Sequence, residues 1–308
     1  MSISKPMLAA NDSPDVETMS YPVLASYKTD GIRCLLHPQL GPIARSFKPI
    51  PNQHVRTELE AIMRTDYESH NLDGELVTYT DGKLDDFHTI QSKVMKRDGE
   101  PEFALLVFDC FSVPTNIFSR RIAEAMERVA HLNNLYGTIV MVPHELVKYP
   151  DDMASLKELH LSQGHEGSMS RDPKGQYKQG RSTLKQGWLL KHKVWRTAEG
   201  IVIGHEEMML NENEQHVNEL GVKVRSTHAG GKVAGGTCGA VILDTDWGQV
   251  RVGGGKGLDR KLRDRLWRER DNDLGRTVTF RYMPHGTKDK PRLPGWVGFR
   301  SRIDMSDG

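Results

Sequence analysis

Five short motifs along the chain carry residue types that are suited to phosphate chemistry. They are residues 28–33 (Lys-Thr-Asp-Gly-Ile-Arg), 72–75 (Leu-Asp-Gly-Glu), 107–109 (Val-Phe-Asp), 165–167 (His-Glu-Gly) and 190–193 (Leu-Lys-His-Lys). Together they supply an amine nucleophile, two separated carboxylates, an aromatic ring and a late pair of lysines. This combination predicts a site that holds a nucleoside triphosphate and attacks its α-phosphorus with a lysine.

Lys28 is the candidate nucleophile. A protonated amine cannot attack, so a reactive lysine has to lose its proton, helped by desolvation or by neighbouring positive charge. Taken alone, Lys-x-Asp-Gly is more typical of a surface turn. The four later motifs favour the catalytic interpretation.

Two carboxylates and one ring are candidates for the rest of the nucleotide. Glu75 and Glu166 each adjoin a glycine in a tight acidic segment, and carboxylates that converge on a triphosphate suit Mg²⁺, with Mn²⁺ as its substitute. Phe108 ends an apolar run, so it is either a core residue or a face on which a base stacks.

Two lysines near residue 190 are candidates for the α-phosphate. Lys191 and Lys193 alternate in a strand-like segment and therefore point to one face. Positive charge there would stabilise an α-phosphate as its negative charge grows in the transition state. Arg33 and Arg45 are further candidates for phosphate or ribose oxygens, which guanidinium groups bind in a fork.

The composition excludes several classes of protein. The chain has 308 residues and a formal net charge of +1, so any nucleic-acid surface must be local. No apolar run approaches the roughly 20 residues of a membrane span, and we expect a cytoplasmic protein without a signal peptide. The three cysteines, Cys34, Cys110 and Cys238, are scattered, which predicts reduced thiols and no structural zinc.

The first two thirds of the chain have a mixed α/β pattern. Residues 22–27 predict a strand that delivers Lys28 to a turn, and residues 32–36 predict the return strand. Apolar residues recur at helical spacing in 52–63, in 122–132 and in 153–159, where Asp151 is the expected N-cap.

The pattern changes after Arg196. Short β-like runs separated by glycines, with one arginine-rich helix over residues 258–270, favour a small five-stranded barrel of the OB type. We therefore expect two domains, 1–197 and 198–308. The polar, glycine-rich stretch 211–236 is expected to be either a functional loop or disordered.

With these motifs in order, the sequence resembles the covalent nucleotidyltransferases, and specifically the small ATP-dependent DNA ligases of bacteriophage type. The resemblance extends from residues 5–9 (Lys-Pro-Met-Leu-Ala) to residues 291–300, which end in Gly-Phe-Arg. It implies an α+β chain in which an adenylation domain of antiparallel sheets and helices precedes an OB-fold β-barrel.

The resemblance also implies roles for individual residues. Lys28 would form a phosphoramidate with AMP, Glu75 would bind ribose or metal, and Glu166 would support the metal. The other implied contacts are to ATP or to the 5′-phosphate of a nick: Ser26, Tyr27, Arg33, Arg45, Phe108 (on adenine), Lys191 and Lys193 (on the α-phosphate), and Arg292 and Arg300 (on pyrophosphate).

The implied reaction has three steps and uses ATP and Mg²⁺. The lysine takes AMP from ATP, AMP passes to the 5′-phosphate of nicked duplex DNA, and the 3′-hydroxyl displaces it while the second domain swings between steps. We expect a monomer that acts in the cytoplasm, which is that of a bacterial host if the gene belongs to a phage.

Three features depart from the family pattern. Ser26 stands where many relatives have an acidic residue that reads the adenine amino group, and His192 stands where an apolar residue usually separates the two lysines. We expect no additional DNA-binding domain before Lys28. The arginine-rich helix and basic residues of the 211–236 stretch are therefore candidates to hold DNA through its phosphates: Arg260, Arg263, Arg265, Arg268, Arg270, Lys223, Arg225 and Lys232.

Other interpretations remain open. Lys-Thr-Asp-Gly also suits a GTP-dependent mRNA capping guanylyltransferase, although Glu166-Gly167 and the Gly-Phe-Arg ending favour a ligase. An RNA ligase is a second alternative, against which the OB-like half argues. An NAD-dependent ligase lacks support because three scattered cysteines cannot form its zinc finger. The alternative of another class is a non-catalytic nucleic-acid-binding OB module.

Overall fold

The computed structural model describes residues 3–217, 223–226, 228–255, 257–284 and 290–300. The chain divides into two compact units, Met1–Lys193 and Val194–Gly308. The predicted boundary between residues 197 and 198 lies inside the strand Arg196–Asn211 and stays a prediction of where the two domains join.

The first unit contains four α-helices and twelve strands within its described residues. In chain order they are β1 (Met7–Leu8), β2 (Val23–Lys28), β3 (Ile32–His37), β4 (Gly41–Ala44), α1 (Gln53–Thr65), β5 (Leu72–Thr80), β6 (Lys83–Leu84), α2 (Phe87–Met95), β7 (Glu102–Cys110), α3 (Phe118–Tyr136), β8 (Ile139–Met141), β9 (Glu145–Val147), α4 (Pro150–Ser162), β10 (Gly167–Arg171), β11 (Gly180–Arg181) and β12 (Leu190–Lys193).

A four-stranded antiparallel sheet carries the candidate nucleophile. Its strand order is β12-β10-β2-β9, so β12 lies at one edge and pairs with β10 within this sheet. Helix α4 packs on β10 and β2. Val23, Ala25, Val147, Met153 and Leu156 form the buried apolar cluster between this helix and the sheet.

A second sheet forms the larger core of the unit. Its order is β4-β3-β5-β7-β8, with β6 on β5, and its pairs are antiparallel except for β7 with β8. Helices α1, α2 and α3 supply apolar side chains such as Val55, Ile90 and Val129 to this core. The side chain of Asn52 accepts from the Val55 amide at 2.9 Å, which confirms the predicted start of α1.

Two predictions for this unit are wrong. Residues 32–36 form a strand, but it is not the return strand of β2, because β2 pairs with β9 and β10 while β3 pairs with β4 and β5. Asp151 does not cap α4. The helix begins at Pro150 after Tyr149, so Asp151 lies in the first turn, where its charge favours the helix dipole.

The described residues of the second unit form a five-stranded antiparallel sheet, a separate two-stranded sheet and one α-helix. The elements are β13 (Arg196–Asn211), β14 (Gln215–Val217), β15 (Lys223–Arg225), β16 (Lys232–Thr245), β17 (Gly248–Val252), α5 (Arg260–Arg268), β18 (Thr277–Met283) and β19 (Arg292–Phe299). The sheet order is β17-β16-β13-β18-β19, and a bridge from Gly254 to Gly295 brings its two edges together as in a barrel. The α+β class predicted for the chain is confirmed.

The predicted loop 211–236 contains regular structure. Strand β13 extends to Asn211, β14 and β15 form an antiparallel hairpin, and β16 begins at Lys232. The side chain of Lys223 lies outside the described part of the chain. Among the described residues of both units, no helix is long and apolar enough to cross a membrane.

The arginine-rich helix is shorter than predicted, and one of its arginines has a structural role. Asp259 caps α5 by accepting from the Leu262 amide at 2.8 Å. Arg263 donates to the backbone carbonyl oxygens of Cys238, Gly239 and Gly253 at 2.8 to 3.0 Å. Because its guanidinium holds the sheet in this way, Arg263 is not a candidate for DNA.

Candidate active site

Lys28 is the last residue of β2, and its neighbours across the sheet are set by strand register. Lys28 faces Gly167 on β10, and Gly167 faces Lys193 on β12. The Glu166 amide donates to the Lys28 carbonyl oxygen at 3.1 Å. The register thus brings together the first, fourth and fifth motifs of the sequence.

Glu166 forms ion pairs with two lysines. Its carboxylate contacts the ammonium groups of Lys28 and Lys193, and the side chain is only 2% exposed. Burial alone would raise the pKa of Glu166, but the two lysines outweigh it and lower this pKa. Burial lowers the pKa of Lys28, but the carboxylates of Glu166 and Glu75 outweigh it, so the pKa of Lys28 is raised. Without ligand, Lys28 is therefore protonated.

Two glycines in the motifs are required by close backbone approaches. A Cβ on Gly31 would lie 2.4 Å from the Leu76 carbonyl oxygen, so any side chain there would push β3 from β5. Gly167 has φ of +148°, and a Cβ on it would lie 2.2 Å from the His192 carbonyl oxygen. Both positions need glycine to keep their strands in contact.

One cavity of about 620 Å³ collects most of the predicted ATP-binding residues. The predicted residues that line it are Ser26, Tyr27, Lys28, Arg33, Arg45, Glu75, Phe108, Lys191 and Lys193. Glu166 joins them through its ion pairs with Lys28 and Lys193. The cavity lies wholly within the first unit.

The charge of this cavity suits a polyanion. Its lining includes seven cationic side chains: Lys28, Arg33, Arg45, Arg171, Arg181, Lys191 and Lys193. Glu75 is the one acidic side chain in that lining. Burial, followed by the proximity of Lys193, Arg181 and Lys28, lowers the pKa of Lys191, as expected for crowded ammonium groups.

Glu75 stands across from Arg33 on neighbouring strands. Burial raises the pKa of Glu75 to about 7, against the opposing influence of Lys28 and Arg33. This carboxyl group therefore titrates near neutral pH in the ligand-free protein. Carboxyl groups of this kind are frequent at functional sites.

Phe108 is partly buried and is in contact with an arginine. The guanidinium carbon of Arg33 lies 4.6 Å from the centre of the Phe108 ring, within the range of a cation–π interaction. Arg33 donates from Nε and Nη2 to the two Asp73 oxygens, each at 2.5 Å, and from Nη2 to the Met7 carbonyl oxygen at 3.2 Å. Without ligand, the Arg33 side chain therefore links its own strand, β3, to β5 and β1 at the wall of the cavity.

A buried ionic network behind the cavity was not predicted from the sequence. Asp109 accepts from Arg121 at 2.9 Å and from Arg171 at 2.6 Å, and all three side chains are almost fully buried. Burial alone would raise the pKa of Asp109, but Arg171 and Arg121 lower it. Tyr177 donates to the Asp73 carboxylate at 2.7 Å and extends the network to the Arg33 side.

Several cavity residues outside the five motifs were also missed, and three of them show why. Arg181 lies on β11, Met169 on β10 and Phe87 at the start of α2, and all three line the cavity. Their types and spacing resemble those of ordinary surface or core residues. The one available signal was position, since Met169 and Arg171 lie at alternate places, and hence on one face, of the strand that begins directly after Glu166.

Arg292 and Arg300 belong to the second unit, and their predicted contact with pyrophosphate stays a prediction. Arg292 lies in β19 opposite Met283. The Arg300 guanidinium donates to both carboxylate oxygens of Glu199 at 2.5 and 2.6 Å. The guanidinium carbon of Arg276 lies 3.6 Å from the centre of the neighbouring Phe299 ring, and the Arg300 amide donates to the Thr277 carbonyl oxygen at 3.0 Å.

The side chains fit a metal ion that shares its ligands with the substrate. Within the described residues, no three His, Cys, Asp or Glu side chains cluster as a preformed metal site. Glu75 lines the cavity and Glu166 pairs with Lys28 beside it. Mg²⁺ is commonly held by one or two carboxylates together with substrate phosphates, so this donor set is sufficient only when a triphosphate is bound.

Family models match both units of the chain. A model of the ATP dependent DNA ligase domain matches residues 6–193, and a model of the DNA ligase OB-like domain matches residues 229–300. The chain belongs to the ATP-dependent DNA ligase family. Among the interpretations that the sequence left open, this match selects the DNA ligases over the capping enzymes and RNA ligases, and it confirms the use of ATP and a nucleic-acid substrate.

Solved structures agree with this membership. A crystal structure of Chlorella virus DNA ligase-adenylate shares 26% identity with a TM-score of 0.55, covering 97% of this chain and all of that one. A second structure of that adenylate shares 27% identity with a TM-score of 0.54, over 98% of this chain and 100% of that one. A minimal Lig E DNA ligase has the same fold, with a TM-score of 0.62 at 20% identity over 96% of this chain and 99% of that one. A search of curated protein sequences finds no match.

Proposed function

We propose that this ligase seals breaks between a 3′-hydroxyl and a 5′-phosphate in duplex DNA, and that Lys28 carries the covalent AMP. The observation that carries the proposal is the position of Lys28. Its amine lies at the wall of a strongly cationic cavity and is paired with a buried carboxylate. The Chlorella virus relative, a ligase-adenylate, supports a covalent nucleotide as the intermediate.

In the first step the Lys28 amine would attack the α-phosphorus of ATP. A bond forms between the lysine nitrogen and phosphorus, the bond from phosphorus to the bridging oxygen breaks, and pyrophosphate leaves. Lys28 must first lose the proton that Glu166 and Glu75 stabilise. Lys191 and Lys193 would stabilise the charge that develops on the α-phosphate oxygens.

The base and ribose would lie toward Phe108 and Glu75. Phe108 offers a ring at the cavity wall, and the Arg33 guanidinium keeps that ring in place from a position held by Asp73. Ser26 and Tyr27 line the cavity next to Lys28 and would contact the nucleotide. Ser26 lacks the carboxylate with which many relatives read the adenine amino group, so it does not supply that selection for adenine. Glu75 would accept a ribose hydroxyl or bind the metal.

A divalent cation would be held by Glu75 and Glu166 together with phosphate oxygens. When bound, Mg²⁺ would neutralise charge on the phosphates. The protein's own contribution is to present two carboxylates beside three lysines. Glu166 would then share its charge between the cation and Lys28, and would raise the pKa of the nucleophile less than it does in the ligand-free protein.

The DNA would be held by cationic side chains of both units. Arg45 is exposed at the rim of the cavity and would contact the 5′-phosphate. Arg260 and Arg268 are exposed on α5, and Arg225 lies on the β14–β15 hairpin. Phosphate contacts by such side chains release counterions, so binding should weaken steeply as salt rises. Arg292 and Arg300 would act on the pyrophosphate in the first step.

The test is the sealing of labelled DNA by wild type, by Lys28→Ala and by Lys83→Ala, an exposed lysine of β6 as control. Wild type and the control should seal a nicked duplex with ATP and Mg²⁺, whereas Lys28→Ala should not. Lys28→Ala should still seal a nick whose 5′-phosphate already carries AMP. Equal loss of both activities would mean that Lys28 has another role, and preference for an all-RNA substrate would overturn the DNA assignment.

A further inference from the structure

Two serine–histidine pairs lie on the face of β10 that is turned away from the cavity. Ser168 and Ser170 flank Met169, which lines the cavity, so strand alternation places both serines on the opposite face. Both are fully buried. Ser168 Oγ is 2.8 Å from His160 Nδ1 on α4, and Ser170 Oγ is 2.8 Å from His192 Nε2 on β12.

The second pair lies directly behind the lysines of the active site. His192 separates Lys191 from Lys193, and its ring is buried while both lysines line the cavity on the other face. Strand β12 has four residues and lies at the edge of its sheet. In such a strand, a slip of one residue would turn His192 toward the cavity and both lysines away from it.

The His192 ring is neutral at the pH of the cytoplasm. Burial, followed by the nearby charge of Lys157, lowers its pKa to about 4. The ring therefore adds no positive charge beside the lysines. Among the described residues, its one hydrogen bond to a side chain is the bond with Ser170, and both residues are buried.

We infer that the hydrogen bond between His192 and Ser170 fixes the register and twist of β12, and so positions Lys191 and Lys193 on the α-phosphate. His192 and Ser170 are then positioning residues for the transfer of AMP to Lys28. This inference rests on the proposed function. It assigns the two residues a purpose that the bond between His160 and Ser168 does not share. Ser168 lies opposite His192 in the register, but its hydroxyl bonds His160 and so joins α4 to the sheet.

The matched variants Ser170→Ala and Ser168→Ala test this assignment. Each removes one buried hydroxyl from the same face of the same strand and leaves one histidine nitrogen unpaired. Single-turnover formation of lysyl-AMP is measured together with the affinity for ATP and the melting temperature. We expect similar losses in melting temperature, but Ser170→Ala alone should slow the reaction, by roughly tenfold or more at saturating ATP, because small displacements of catalytic groups are costly.

A double variant distinguishes two explanations of a rate loss: a displaced strand β12, or the absence of this particular hydrogen bond. His192→Leu alone leaves the Ser170 hydroxyl without its partner, whereas Ser170→Val with His192→Leu replaces both polar groups by packed apolar ones, a change that can be nearly neutral. The double variant should recover most of the rate that either single variant loses. Equal rate losses in Ser168→Ala and Ser170→Ala, or a wild-type rate in folded Ser170→Ala, would overturn the inference. Failure of wild type to form lysyl-AMP would instead overturn the proposed function.

Discussion

Lys28 and Glu166 are joined twice, once through their side chains and once through the backbone. The ammonium is ion-paired with the carboxylate, and the Glu166 amide donates to the Lys28 carbonyl oxygen at 3.1 Å. Residues separated by most of the first unit are thereby held in one geometry. The same carboxylate that orients Lys28 also raises its pKa, so the ligand-free protein holds its nucleophile in the protonated form.

Replacing Glu166 with Gln should make Lys28 more reactive toward simple reagents but less effective with ATP. Loss of the charge lowers the pKa of Lys28, so an amine-acylating reagent should label it faster at neutral pH. The variant should lose up to about 3 kcal/mol of stability, because two partly buried lysines lose their shared, buried partner. Peptide mass mapping and urea unfolding measure the two effects.

The control for that variant is Glu60→Gln, which removes the exposed pair of Glu60 with Arg56 on α1. Exposed pairs contribute roughly 0–1 kcal/mol, so its stability should be close to that of wild type. Unchanged labelling of Lys28 in Glu166→Gln would contradict the proposed control of its pKa.

Replacing Asp109 with Asn should destabilise the first unit by about 3–5 kcal/mol, because Arg121 and Arg171 are left as buried charges. The folded-state pKa of Asp109 is lowered, so its contribution is present above the unfolded value of about 3.9 and is lost as pH falls through the folded value. Unfolding in denaturant at pH 7 and at pH 3 should show that the difference between wild type and variant narrows in acid. A difference that does not change with pH would be contrary to this account.

Glu75 should impose an acidic limit on the reaction with ATP. Its pKa of about 7 means that half of the ligand-free molecules hold a neutral Glu75 at that pH. If its carboxylate binds ribose or metal, kcat/KM for lysyl-AMP formation should rise with pH with a midpoint near 7. Glu75→Gln should be slower and should lack that midpoint.

The raised pKa of Glu75 has the opposite consequence for stability, which should fall as pH rises. Its folded pKa is raised above the unfolded value of about 4.3, so its contribution to stability is present below that value and is lost as pH rises toward 7. Glu75→Gln should therefore be more stable than wild type at pH 8 and show little gain at pH 4. A variant less stable than wild type at pH 8 would count against burial as the cause of the raised pKa.

Gly167→Ala should disrupt the active site far more than Gly164→Ala. Both glycines have positive φ, of +148° and +87°, but a Cβ on Gly167 meets the His192 carbonyl oxygen whereas nothing lies within 4 Å of one on Gly164. Gly164→Ala should cost about 1 kcal/mol from backbone strain alone. Gly167→Ala should separate β10 from β12 and abolish lysyl-AMP formation, and thermal melting with a single-turnover assay would reveal whether the two differ.

The sequence predicted which residues meet at one cavity better than it predicted the strand pairing that brings them there. Each motif residue was identifiable by type and spacing, and the helix beginning after Asn52 followed from its cap and its apolar periodicity. The pairing of strands did not follow. Asp30-Gly31 between two apolar runs is typical of a hairpin, yet β2 and β3 belong to different sheets because their partners lie far along the chain.

The sequence also did not predict which buried polar side chains pair with one another. Asp109, Arg121 and Arg171 are each ordinary charged residues in the sequence, and their mutual pairing depends on three elements that meet only after folding. The same holds for Ser170 and His192. His192 was noted only as a departure from the apolar residue expected there. The strand register places Ser168 opposite it, and its hydrogen bond runs diagonally to Ser170, which only the folded structure shows.

The central claim is tested most directly by the intact mass of the protein after incubation with Mg²⁺ and either ATP or GTP, with Lys28→Ala alongside. The account predicts an AMP-sized increase with ATP in wild type, none in the variant, and release of that mass on addition of pyrophosphate. A GMP-sized increase, an AMP adduct that persists in Lys28→Ala, or no adduct in protein shown to be free of AMP beforehand would contradict it.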